Sequence, residues 1–138
     1  MTVTQTTMIA SREAFVREGP IWRATLPVGA TSLLVMITAG KKGPGDALLT
    51  LVERVVSDAR RLEEVARIYV RDNAHDFAAE EITLSGLDFR YPSAGWKPQG
   101  RTVPKDEPTF GLVFSIPGDH NVLDVNFVKG EPVEAFYH

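Results

Sequence analysis

The most regular pattern in the chain is a stripe of apolar residues between Asp46 and Asp72, which recur at steps of three and four. This spacing predicts an amphipathic helix with one buried face. Asp46 is the predicted N-cap, because the Gly-Pro-Gly of 43–45 stops the helix from beginning earlier. The helix would be longer than average, so a break near Ser57 stays open. The stripe consists of Leu48, Val52, Val55, Ala59, Leu62, Ala66 and Tyr69.

Two apolar segments precede this helix. They read IWRATL and ATSLLVMITA, and Pro27, Val28 and Gly29 lie between them. Short apolar runs separated by turn residues predict a β-hairpin. The second run has apolar side chains at consecutive positions, which is typical of a strand covered on both faces. We therefore expect it to be a central strand and the most buried one.

Four further strand segments follow the helix: ITLSGLDFRY, TFGLVFSI, NVLDVNFV and PVEAFYH. The alternation of the first changes parity at residues 85–86, which indicates a bulge. Pro117 and Gly118 suit the centre of a type II turn, and Lys129 and Gly130 suit the next turn, so the last three segments form a meander. In the predicted register, one face of the strand NVLDVNFV lies opposite one face of the strand TFGLVFSI. The apolar residues Leu123, Val125 and Phe127 then pair with Phe110, Leu112 and Phe114.

These elements predict an α+β fold. An antiparallel or mixed sheet of about six strands, in the order β-β-α-β-β-β-β, packs one face on a single long or broken helix. Residues 1–10 contain few large apolar side chains and are predicted to be a flexible lead. Residues 11–138 are predicted to form one domain, because a chain of 138 residues is of ordinary size for one core.

Charge and composition narrow the classes of partner and compartment. The net charge of −3 does not favour nucleic acid, because phosphate backbones require a concentrated positive field. The chain has no cysteine, which excludes disulfides and is compatible with the cytoplasm, our predicted location. The N-terminal stretch lacks the pattern of a signal peptide, and no apolar run reaches the ~20 residues of a membrane span. We expect no membrane association.

The polar residues of the turn PGDHNVLD are the first candidate site. Asp119 and His120 are adjacent, and His120 and Asp124 are predicted to share the outer face of a strand. Two such residues are too few for a metal ion and lack a nucleophile, so a structural role is favoured. The chain contains neither an HExxH nor a GxSxG motif. We therefore predict no catalytic residue, no metal and no cofactor, with Asp119, His120 and Asp124 as an alternative polar site.

The second candidate site is the long connection from Tyr91 to Pro108, which is rich in Pro and Gly. Connections of this length are uncommon in compact domains and are often functional. Trp96 would be an interface anchor, and Lys97, Arg101 and Lys105 would form a basic rim for an acidic partner or a second copy of the chain. In the alternative interpretation, Trp96 folds back on the edge of the sheet.

The C-terminal stretch FGLVFSIPGDHNVLDVNFVKGEPVEAF resembles the meander of small bacterial α+β domains of unknown function, in which a Phe-Gly strand leads through a turn containing histidine. WRATLPVGATSLLVMITAG and the helix after it are similar to their N-terminal half. Members are often encoded beside polymorphic toxins. The resemblance therefore implies an immunity-type protein that binds a toxin.

Two main functional hypotheses follow. The first is a non-enzymatic protein-binding module, which agrees with the lack of a complete catalytic set and, through the resemblance, would be an immunity-type inhibitor. The second is a small enzyme or ligand-binding domain that uses His120 and Asp124, which would require a concave pocket with converging polar groups. A structural module without a separable site is a third hypothesis.

Overall fold

A computed structural model describes residues 12–138, so the predicted lead at 1–10 lies outside the described residues. Two helices, α1 (Asp46–Ser57) and α2 (Ala59–Asn73), lie between the third and fourth strands. Neither is long and apolar enough to cross a membrane. The strands are β1 (Val16–Glu18), β2 (Ile21–Val28), β3 (Thr31–Thr38), β4 (Thr83–Arg90), β5 (Thr109–Ser115), β6 (Val122–Val128) and β7 (Glu131–Tyr137).

The strands form one mixed sheet in sequential order from β1 to β7. Neighbouring strands are antiparallel except β3 and β4, which are parallel. A parallel pair needs a crossover connection, and α1 and α2 supply it. The α+β class and the mixed sheet are confirmed, but within residues 12–138 the sheet has seven strands instead of about six. The additional strand is β1, whose three residues are all exposed. A strand without a buried face shows no alternation of apolar and polar residues, so the sequence pattern does not predict it.

The helical stripe packs on one face of the sheet, as its spacing predicts. Leu48, Val52, Val55 and Leu62 are buried in the main core, and Tyr69 is partly buried against it. The helix does break, at Asp58, whose backbone leaves the helical region between α1 and α2. The predicted N-cap is wrong. Gly45 occupies the cap position without a side-chain hydrogen bond, and Asp46 is the first helical residue.

The most buried strands are β5 and β6, and the expectation for β3 is wrong. In β3 only Leu33, Val35 and Ile37 are buried, whereas Leu34 is 37% exposed on the helix-free face. In β5 and β6 consecutive residues are buried on both faces. The second face of these strands contains buried polar residues, namely Thr109, Asp124 and Asn126.

The predicted turns and registers of the meander are confirmed. The Asp119 N–H donates to Ile116 O at 3.1 Å across Pro117 and Gly118, and Gly118 has a φ of +73°. The apolar pairs are Phe110 with Phe127, Leu112 with Val125 and Phe114 with Leu123. The bulge in β4 is also present, between Leu84 and Gly86.

Candidate functional site

The carboxylate of Asp119 is fully engaged in holding the β5–β6 turn. Its Oδ1 accepts the backbone N–H of Asn121 at 2.9 Å, and its Oδ2 accepts the hydroxyl of Tyr137 at 2.8 Å. These two hydrogen bonds, the one from Asn121 first, lower the pKa of Asp119. Asp119 thus ties the turn to strand β7.

Asp124 pairs with His138, a residue that the predicted polar site did not include, and His120 is not among the hydrogen-bond partners of Asp124 within residues 12–138. Asp124 lies on the helix-free face of the sheet, as predicted, but it is buried there, with 5% exposure. Its Oδ2 is 2.8 Å from Nε2 of His138, a residue that continues β7, while His120 is exposed at the turn. Oδ1 of Asp124 is buried and has no hydrogen-bond donor among residues 12–138.

A second carboxylate lies on the same helix-free face. Asp88 in β4 accepts from Arg90 Nη1 at 2.7 Å, and both side chains are only partly accessible. Burial raises the pKa of Asp88, the guanidinium of Arg90 opposes this, and the charge of Asp124 raises it further. Asp88, Arg90, Asp124 and His138 together form what we call the polar cluster.

Glycine at position 111 makes room for the next polar group on this face. Gly111 lies opposite Asn126, and a Cβ at position 111 would be 2.7 Å from Oδ1 of Asn126. The amide of Asn126 is therefore accommodated beside β5, and its Nδ2 donates to Oε2 of Glu134 in β7 at 2.7 Å. A side chain at position 111 would displace this hydrogen bond.

The connection 91–108, which we call the basic arm, is attached to β7 and α2. The indole N–H of Trp96 donates to Oε2 of Glu134 at 3.1 Å, so Trp96 is half-buried against the edge strand. The amide of Gln99 donates to the Tyr69 hydroxyl at 2.7 Å, and Pro98 is buried. Trp96 therefore lies back on the sheet edge, as the alternative interpretation expected, and it positions the arm.

The three cations predicted for partner binding are all exposed on this arm. Lys97, Arg101 and Lys105 lie on the surface, and none makes an ion pair or side-chain hydrogen bond within residues 12–138. By contrast, Arg61, Arg67 and Arg71 each bind a carboxylate. The arm also contains Asp106 and Glu107, so its formal net charge is +1 (three basic minus two acidic residues), but its three cations have no carboxylate contact within the described residues.

Sequence reasoning missed Asp88, Arg90, Glu134 and His138. Asp88 is flanked by the apolar residues Leu87 and Phe89, a pattern that indicates an outward-facing position without indicating a cluster. Within residues 12–138, no group of three or more His, Asp or Glu side chains could hold a metal ion. The cluster also contains no serine, threonine or lysine that could act as a nucleophile.

No protein-family model, no curated protein and no solved structure matches the chain. The resemblance to immunity-type domains stays a prediction.

Replacing His138 by alanine should lower the free energy of unfolding by about 1–3 kcal/mol, because Asp124 would remain buried without its partner. His120→Ala is the matched control and should change it by less than about 1 kcal/mol, since His120 is exposed. Urea unfolding of both variants measures the difference. Equal effects of the two substitutions would contradict the assignment of the partner to His138.

The raised pKa of Asp88 predicts a pH dependence with a definite sign. Folding favours the protonated carboxyl, so Asp88 contributes stability below its unfolded pKa and loses this contribution as the pH rises through its folded pKa. Asp88→Asn removes this contribution. When the pH is lowered from neutral through the interval between the folded and the unfolded pKa of Asp88, the free energy of unfolding should therefore fall more for the variant than for the wild type. Urea unfolding at a series of pH values measures this difference. Parallel pH profiles would contradict the burial effect.

Proposed function

We propose that this protein is a non-enzymatic protein-binding module whose basic arm contacts an acidic partner. The observation that carries the proposal is the set of three exposed cations, Lys97, Arg101 and Lys105, which have no carboxylate partner among residues 12–138. Exposed cations increase the rate of association with a partner that has an acidic surface, and they disfavour a partner that has a basic surface.

The attachment of the arm supports binding, because it reduces the entropy lost on association. The hydrogen bonds of Trp96 and Gln99 fix the arm at two points on the domain. A prepositioned loop loses less conformational freedom in a complex than a free loop. Phe136 is 53% exposed and Tyr91 is 39% exposed, and these aromatic groups can supply the apolar contacts that charges alone do not give.

The resemblance of the meander to immunity-type domains extends the proposal to a partner class. An immunity-type inhibitor would use the basic arm to bind a toxin with an acidic surface. A second copy of the chain, whose net charge is −3, is the other acidic protein that suits the arm. The mass of a cross-linked adduct separates these two partners.

Site-directed photo-crosslinking in cells of the source organism tests the proposal. A benzoylphenylalanine at Thr102, an exposed residue between the arm cations, should form a covalent adduct with a protein on irradiation. The same group at Thr38, exposed at the end of β3, is the matched control and should not form it. The absence of an adduct at Thr102, or an equal yield at Thr38, would contradict the proposal.

One observation favours the alternative function, a small enzyme or ligand-binding domain. In the polar cluster the half-exposed imidazole of His138 is oriented by a buried carboxylate, an arrangement that can accept a proton from a bound molecule. In this proposal His138 takes the role predicted for His120. His138→Gln separates the two functions, because an enzyme would lose turnover while a binding module would keep its arm and its partner.

A further inference from the structure

A cavity of about 610 Å³ lies where α1 and the first turn of α2 face the beginning of β5 and the β6–β7 turn. This volume is in the range of pockets that hold small organic molecules. It is on the helical side of the sheet and is separate from the polar cluster. The side chains that matter for binding are Leu51, Arg54, Val55, Leu62, Phe110 and Lys129.

The apolar floor of the cavity is formed by side chains that are packed in the core. Val55 and Leu62 are at most 3% exposed, and Phe110 is 5% exposed. The ring of Phe110 stacks on Phe127 with a centroid distance of 4.8 Å and an angle of 12°. These three side chains reach the cavity only at their edges, whereas Leu51 is partly exposed and supplies accessible apolar surface. The packing fixes the floor, so a ligand would not have to order it.

The charges around this apolar surface select an anion. Arg54 and Lys129 are exposed and make no ion pair within the described part of the chain. The third lining cation, Arg61, is already neutralised by Asp58, to which its Nε donates at 2.9 Å. Glu107 is the remaining carboxylate of the lining. Among the described lining residues, two cations and one carboxylate are without an ion-pair partner, so the rim has a net positive charge.

The position of Lys129 is conformationally unusual. Its φ is +52°, and Gly130 after it has a φ of +79°, so the two residues form the centre of a tight hairpin turn. Asparagine suits the first position of such a turn better than lysine, because a left-handed backbone is unfavourable for a long side chain. The turn places Lys129 in the lining of the cavity.

We propose that this cavity binds a small molecule that has an extended apolar body and one carboxylate. The apolar body lies against Leu51, over the floor to which Val55 and Phe110 contribute their edges, and the carboxylate accepts hydrogen bonds from Arg54 and Lys129. A charge-assisted hydrogen bond to either cation gives preference for an anionic head group. A hydrocarbon-chain carboxylate of medium length has the required chemistry.

Two probes of equal chain length and opposite charge test the proposal. Decanoate is titrated into the isotope-labelled protein while backbone amide shifts are followed by NMR, and decyltrimethylammonium is titrated in parallel. Decanoate should shift the amides of Leu51, Arg54, Phe110 and Lys129 in a saturable manner. The affinity for the cationic probe should be lower by about tenfold or more, because this probe cannot form the charge-assisted hydrogen bond.

Variants then assign the contacts. Arg54→Gln and Lys129→Asn should each weaken decanoate binding by about tenfold, and Lys129→Asn should not lower thermal stability, because asparagine suits the turn. Glu107→Gln should strengthen binding, since it removes the opposing charge. Lys42→Gln, an exposed lysine outside the cavity, is the control and should have no effect. Absent or non-saturable decanoate binding, equal affinity for both probes, or insensitivity to Arg54 and Lys129 would overturn the proposal.

Discussion

Replacing Leu62 by alanine is expected to lower the free energy of unfolding by about 2–5 kcal/mol, a typical loss for a large buried aliphatic residue. Leu62 is 3% exposed and lies between α2 and the sheet in the main core. The substitution removes contacts with both and leaves a void that a close-packed core fills only in part. Equilibrium urea unfolding of wild type and variant measures the loss.

Leu34→Ala is the matched control for this experiment. It removes the same atoms from a leucine that is 37% exposed on the helix-free face of β3. Its effect should stay below about 1 kcal/mol, because less apolar area is lost. An effect at Leu34 as large as that at Leu62 would show that the helix-free face is also part of the core.

Arg67→Leu is expected to cost about 2–4 kcal/mol, because Arg67 fastens the connection between α2 and β4. Its Nη1 donates to the carbonyl oxygens of Ala79 and Ile82 at 2.6 and 2.7 Å, and its Nη2 donates to Glu63. The guanidinium also lies 5.4 Å from the ring centre of Phe114. The substitution leaves two carbonyl groups without their donor.

The control here is Arg71→Leu, one turn further along α2. Within residues 12–138 Arg71 binds Glu80 alone, and both side chains are more than half exposed, so this pair should contribute less than about 1 kcal/mol. Thermal and urea unfolding of the two variants should differ clearly. If Arg67→Leu unfolds like Arg71→Leu, the anchoring role of Arg67 is wrong.

The elements with strong local patterns could be predicted from the sequence. The three-four spacing of the stripe requires a buried helical face, and residues 117–118 have the conformational preferences of a type II turn. The turn fixes the β5–β6 register, which then follows from the period of two along each strand. The bulge in β4 could also be predicted, because the alternation of apolar and polar residues along the strand reverses at Ser85.

The partner of Asp124 could not be predicted, because a second bulge shifts the last strand. An unbroken ladder from the Val128–Glu131 pair would place Ala135 opposite Asp124. The shift between Asn126 and Phe127 places Phe136 there, and His138 then lies on the same face two residues on. No residue preference in PVEAFYH signals this bulge.

The burial of β3 was predicted wrongly because consecutive apolar residues do not require two covering layers. Leu34 and Met36 face the helix-free side, where no helix covers them. The placement of the basic arm was equally hidden, since it depends on hydrogen bonds from Trp96 to Glu134 and from Gln99 to Tyr69, residues that are 38 and 30 positions apart. Contacts at such separations leave no local pattern in the sequence.

The most direct test of the proposed function is the affinity of charge-reversed arm variants for the partner that the cross-link identifies. Lys97→Glu combined with Lys105→Glu is compared with Lys41→Glu combined with Lys42→Glu, two lysines that are also exposed and lie in the β3–α1 loop. Isothermal titration should show about a tenfold or greater loss of affinity for the arm variant and wild-type affinity for the loop variant. Wild-type affinity of the arm variant, or equal losses in both, would contradict binding through the basic arm.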